Sequence, residues 1–112
     1  MNSVVPIWGK ATIRLTEEAR ALLLEMTRQI EEIRPVVCLS WVVDAVESHG
    51  EEATHRGPHW GVGCYSSDQV PADSVTEIAG IKFIFSAYDA LRLEGATLRI
   101  SSNGFEVDER AI

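Results

Sequence analysis

The segment from Thr16 to Pro35 constrains this chain most. Thr16 is a good helix N-cap, and Glu17 and Glu18 follow in the first turn, where the positive end of the helix dipole favours acids. Ala19, Leu22, Leu23, Met26, Ile30 and Ile33 then recur at the offsets of one helical face. Pro35 ends the run, because the residue before a proline is pushed out of the helical region. The pattern predicts one amphipathic helix over about 17–33, whose apolar stripe needs something flat to lie on. The rest of the chain supplies short strands. Ala11 to Leu15 alternate, with Ile13 and Leu15 on one face. Val36 to Glu47 is rich in β-branched residues and puts Val37, Leu39, Trp41, Val43 and Ala45 on a single face, with Ser40 and Asp44 on the other. Trp60 to Tyr65 reads as a strand in which Gly61 and Gly63 admit close approach.

Further on, Val75 to Ser86 splits into two strands around Gly80, with Ile81, Phe83 and Phe85 on one face. Ser86-Ala87-Tyr88-Asp89 resembles a capping box for a short helix ending at Gly95. Thr97–Ser101 and Phe105–Val107 are strand-like and flank Asn103-Gly104, a hairpin-turn dipeptide. Residues 49–58 and 66–74 are polar and carry Gly50, Gly57, Pro58 and Pro71, so they read as loops. The expectation is an α+β domain, mainly β, with short mixed strands and one helix packed across them. We expect a loose arm over 1–10, a single domain over 11–108 and a fraying tail over 109–112.

At 112 residues the chain has the size of one domain. Seventeen acidic residues against ten basic give a net charge of -7. That balance disfavours nucleic acid and anionic membrane surfaces, which reward Lys and Arg. It would steer the domain toward a basic partner. No apolar run approaches the roughly 20 residues of a membrane span. The first residues lack the basic and apolar regions of a signal peptide, so the cytoplasm is the expected compartment. Two cysteines, Cys38 and Cys64, are too few for a disulfide scaffold.

Candidate chemistry is sparse. His49, His55 and His59 precede Cys64 closely, and imidazole with thiolate suits zinc or iron. The set His55, His59 and Cys64 is therefore a candidate metal site. Its loop setting, with Gly57-Pro58 between two of the histidines, favours solvated side chains instead. A Cys38–Cys64 disulfide or a Cys64–His59 nucleophilic pair lacks any supporting pattern. The adjacent pairs Glu17/Glu18, Glu31/Glu32 and Glu51/Glu52 diverge on a helix and read as solvated charge. Trp41 is expected in the core. Trp8 and Trp60, one on the arm and one beside a loop, are candidate interface anchors, with packing against the sheet as the competing reading.

The order of motifs resembles the HesB-like family, the A-type iron–sulfur carriers. Ile13-Arg14-Leu15-Thr16 leading straight into the helix is similar to the family's opening strand. Gly80-Ile81-Lys82-Phe83, the helix starting at Ser86, Leu93-Glu94-Gly95 and Asn103-Gly104-Phe105 match its later motifs. Together they span most of residues 11–107. The resemblance implies a β pseudo-barrel crossed by the N-terminal helix. It also implies cluster-binding cysteines in a Gly-Cys-Ser-Gly loop and in a C-terminal Cys-Gly-Cys, and this chain has neither. Iron–sulfur clusters need several thiolates. The expectation is a non-enzymatic member of that type without a cofactor, acting as a protein-interaction module, with homo-oligomerisation open. The alternatives are an iron or iron–sulfur carrier using His55, His59 and Cys64, and an acidic immunity-type protein covering a basic partner.

Overall fold

The structure is a computed structural model. It describes residues 7–43, 45–49, 52–102 and 104–109, with the backbone alone for 45–49 and 52–56. The described residues form a mixed α+β domain of ten short strands and two α-helices. Strand β1 spans Trp8–Gly9, β2 Arg14–Leu15, β3 Pro35–Val42, β4 Ala45–His49 and β5 Glu52–Arg56. Strand β6 spans His59–Ser66, β7 Thr76–Ile78, β8 Ile81–Ser86, β9 Thr97–Ser101 and β10 Gly104–Asp108. Helix α1 covers Glu17–Gln29 and α2 covers Ala87–Leu93. Among the described residues no helix is long and apolar enough to cross a membrane.

The larger sheet is built on β8. Strand β3 runs parallel to it on one edge, while β7 and β1 share the other edge, both antiparallel. Strand β6 pairs antiparallel with β3 and ends the sheet. The smaller sheet has the order β10-β9-β2, with β2 parallel to β9. Thus residues 14 and 15, near the start, dock onto 97 and 98, near the end. Arg14 N–H donates to Ala96 O at 2.8 Å and Thr16 N–H to Leu98 O at 3.0 Å.

Helix α1 starts where the sequence places it, with the Thr16 hydroxyl accepting the Ala19 N–H at 3.2 Å. It stops at Gln29 rather than Ile33. Glu31 and Glu32 would sit at the negative end of the helix dipole, and the chain instead makes a 3-10 turn over Glu31–Ile33. Arg34, ahead of Pro35, takes a left-handed conformation with φ 49°. The buried stripe is therefore Ala19 and Leu23, backed by half-buried Met26 and Ile30, while Leu22 and Ile33 are exposed.

The main core lies between one face of the larger sheet and α1 with the smaller sheet. Val37, Leu39, Trp60, Phe83 and Phe85 meet Leu23 and Leu98 there. The Phe83 and Phe85 rings stack with centroids 5.8 Å apart. A second, smaller cluster on the sheet's other face joins Val36, Val70 and Ile84 to Trp8, Cys38 and Val75. Two-sided cover explains why Val36 and Ile84, on the even positions, are as buried as their neighbours.

The strand expected over 36–47 breaks after Val42, and Val43 is 68% exposed. Asp44 lies outside the described residues. The expected loop over 49–58 is instead a hairpin limb of β4 and β5, with Ala45 opposite Arg56 and His49 opposite Glu52. Its register continues that of β3 and β6. Val42 faces His59, and three residues further Ala45 faces Arg56. Gly57 and Pro58 separate β5 from β6, as the sequence suggests, and the pairing of 45–49 with 52–56 extends beyond what was expected. Ala79-Gly80 joins β7 to β8 with both φ angles positive, 53° and 83°. At the last hairpin Gly104 already pairs with Ser101. The expected Asn103-Gly104 turn thus has its second residue at the start of β10, and Asn103 lies outside the described residues. The arm and tail are partly held. Trp8 and Gly9 pair with Ser86 and Phe85, and Glu109 is bound by Arg92.

Candidate functional site

Helix α2 carries two large apolar side chains on its outer side. Ser86 caps it by accepting the Asp89 N–H at 3.0 Å. The Asp89 carboxylate does not return to close the expected capping box. It is buried and accepts the Trp41 N–H at 3.4 Å, which ties the helix to the end of β3. Helical spacing turns Asp89, Ala90 and Leu93 inward and leaves Tyr88 and Leu91 outward, 77% and 83% exposed. Strand β1 passes directly beneath. A Cβ on Gly9 would meet Ala87 Cα and Ala90 Cβ at 3.0 Å, so a side chain there would force the helix and strand slightly apart. Ala87 N–H donates to Ile7 O at 2.8 Å, which brings Ile7, 72% exposed, to the same end of α2.

Beside this surface Arg92 lies over two indoles. Its guanidinium carbon is 4.3 Å from the Trp41 ring centre and 4.9 Å from that of Trp60. The two rings meet edge to face at 5.3 Å, as an opposed cross-strand pair allows. Glu109 holds the guanidinium with two bonds, 3.0 and 2.9 Å, and so raises the Arg92 pKa. The fork matches a carboxylate's geometry. Trp60 Nε1 is buried with no acceptor among the described residues.

The residues singled out in the sequence are spread apart. Trp60 is 8% exposed and belongs to the core, so its ring is not an accessible anchor. Trp8 is half-buried, edge-on to Tyr65 at 5.9 Å, and packs on the smaller cluster. His59 and Cys64 are five residues apart on one strand. They point to opposite faces, roughly 16 Å apart along it. The side chain of His55 lies outside what the structure describes. Among the described residues no three His, Cys, Asp or Glu side chains converge as metal ligands. Cys38 and Cys64 are both free thiols. Cys64 opposes Val37 and packs on the main core, while Cys38 opposes Gly63 and packs on the other face. Burial, then Asp89, then Cys64 push the Cys38 thiol up to about 11, and burial raises Cys64. Thiols so protonated are poor nucleophiles at neutral pH.

A separate groove of about 500 Å³ runs between the end of α1 and the start of β8, lined by Leu24, Arg28, Arg34 and Lys82 among others. Two of its cations are engaged, Arg28 by Glu25 and Arg34 by Asp68. The sequence reading missed Tyr88, Leu91 and Arg92. The Ser86 cap was visible, and a 3.6-residue projection from it would have separated Tyr88 and Leu91 from Ala90 and Leu93. No family model, curated protein or solved structure matches this chain.

Proposed function

We propose that this chain is a non-enzymatic, cytoplasmic protein-binding module on a HesB-like scaffold that has lost cluster ligation. In this reading it engages a protein partner through Ile7, Tyr88 and Leu91. The observation that carries the reading is the exposure of those three large side chains on and beside one short helix. Exposed apolar groups scattered singly need no explanation, but an aromatic and an aliphatic residue on one short helix, with a second aliphatic residue beside its start, favour a contact surface. The scaffold reading is supported by the motif order from Ile13-Arg14-Leu15-Thr16 to Asn103-Gly104-Phe105. The loss of ligation is supported by the missing family cysteines and by the placement of Cys38 and Cys64 on opposite faces of one hairpin.

The test pairs two measurements. Leu91→Glu and Tyr88→Ser should leave the urea midpoint almost unchanged, because both residues are exposed. The same variants should weaken binding to the partner that co-purifies with the unaltered chain by at least about tenfold, the value of one lost anchor. Unchanged affinity in both variants removes this surface from the reading. Anaerobic reconstitution with iron and sulfide should leave the protein colourless. A brown product dependent on Cys38 or Cys64 would restore the carrier function.

A further inference from the structure

The groove between α1 and the start of β8 shares no lining residue with the α2 surface. Leu24, Thr27, Arg28 and Glu31 recur at helical spacing and form one wall, the last of them on the 3-10 turn. The other wall is where two parallel strands begin. The offset that sets Val37 beside Phe83 brings Pro35 level with Ile81, and Arg34 and Lys82 flank that pair. Leu24, Pro35 and Ile81 are its apolar lining. The volume, about 500 Å³, is that of a small-molecule site.

Charge selects the ligand. The chain as a whole holds seventeen acidic residues against ten basic. The groove reverses that balance, with the cations Arg28, Arg34 and Lys82 in its lining against one acid, Glu31. The acids that answer these cations stand outside the lining and hold them loosely. Arg34 meets Asp68 once, at 3.7 Å, beyond hydrogen-bond length, with both side chains more than three-quarters exposed. Such a pair contributes little. Glu25 takes both its bonds from Arg28 Nη2, which leaves Nε and Nη1 without a partner among the described residues. Lys82 has no ion pair among the described residues, although Glu77 lies opposite it on β7. Arg34 supplies a second observation. It is left-handed, φ 49°, at the end of the 3-10 turn, where glycine or asparagine fits without strain. One loose contact with Asp68 does not explain an arginine there, whereas a guanidinium needed at the groove does.

We propose that this groove binds a small organic phosphate monoester, its head between Arg28 and Arg34 and its apolar part against Leu24, Pro35 and Ile81. At neutral pH such a monoester carries close to two negative charges, which match the excess of three cations over one acid in the lining. Planar guanidinium groups take phosphate oxygens two at a time. The net charge of -7 repels an anion at a distance. Salt at about 0.1 M screens that field beyond roughly 10 Å, so the groove's own charges decide.

The test is titration of the full chain with phenyl phosphate, followed by amide shifts in NMR. Saturable changes should appear at Arg34, Gly80 and Ile81, with Kd at or below about 1 mM. Phenol lacks the charge, inorganic phosphate lacks the ring and benzoate carries a single charge, so each should bind more weakly. Arg34→Asn suits the left-handed turn and removes the guanidinium. Its urea midpoint should hold or rise while its affinity falls at least about tenfold. Removing an acid should act in the opposite direction, with Glu31→Gln and Asp68→Asn each tightening binding by about two- to fivefold. The absence of a saturable shift overturns the proposal, as does binding of phenol, benzoate or inorganic phosphate as tight as that of phenyl phosphate. So does an Arg34→Asn variant that binds like the unaltered chain. A lower midpoint in that variant would assign the guanidinium to the Asp68 pair and overturn the proposal too, as would unchanged affinity in both acid variants.

Discussion

Replacing Ala79 tests the geometry of the β7–β8 turn, from which β8, the centre of the larger sheet, begins. Ile78 pairs with Ile81, so Ala79 and Gly80 form a two-residue connection. With φ angles of 53° and 83° both residues are left-handed, as in a type I′ turn. Gly80 adopts this freely, whereas a residue with a Cβ is strained by about 1 kcal/mol. Ala79 is exposed, so a new side chain there neither gains nor loses burial. The bond from Arg20 Nε to the Ala79 carbonyl, 2.9 Å, involves only the backbone and survives any substitution. Asparagine tolerates this conformation and restores the preferred Asn-Gly dipeptide. Ala79→Asn should therefore stabilise the protein by about 0.5–1 kcal/mol. Ala79→Gly relieves the same strain but gives back about 0.5–1 kcal/mol through the freer unfolded chain, and should come out near neutral. Ala79→Val adds β-branching to a left-handed residue and should cost about 1 kcal/mol or more. Urea unfolding followed by tryptophan fluorescence reads the order directly, through midpoints at constant m. For a domain of this size the asparagine variant should also raise Tm by roughly 2–6 °C. A destabilising asparagine, or a valine equal to alanine, would mean that residue 79 is not left-handed.

Two other outcomes follow from the site. Arg92→Ala should cost about 1–2 kcal/mol and alter tryptophan emission, because the guanidinium faces both Trp41 and Trp60. Glu109→Gln, which removes only the half-exposed ion pair, should cost less than about 1 kcal/mol; equal losses in urea unfolding would show that the stacking contributes nothing. The Cys38 thiol, raised from 9.0 to about 11 chiefly by burial, keeps its proton in the folded state at a pH where the unfolded chain releases it. Its contribution to stability is therefore whole below pH 9 and is lost as pH rises toward 11. Over that window the urea midpoint of the unaltered protein should fall more steeply than that of Cys38→Ala, and parallel curves would refute the assignment.

What could be read from residues alone was local. Thr16, Glu17 and Glu18 announce where α1 starts, Gly80 separates β7 from β8, and Ser86 begins α2, because caps and turns depend on a few neighbours along the chain. The alternation in Val37, Leu39, Phe83 and Phe85 marked the main core face for the same reason. Where elements stop was less legible. Helix α1 ends four residues early, and within the polar stretch 49–58 residues 52–56 pair with 45–49 across the chain, while Gly57 and Pro58 still interrupt the strand.

The candidate surface needed the tertiary structure. For Trp60 the sequence left anchor and packing both open, and the structure decides for packing, with Trp41 against it and Arg92 over both. His59 and Cys64 looked adjacent until a single strand set them on opposite faces. Tyr88 and Leu91 became a surface only when β1 slid beneath α2 and Asp89 bound β3. Sequence by itself determined where most elements begin, because propensity and patterning act over a few residues. Which side chains meet, and which are left facing outward, depends on contacts between residues far apart along the chain, and only the folded packing decides those.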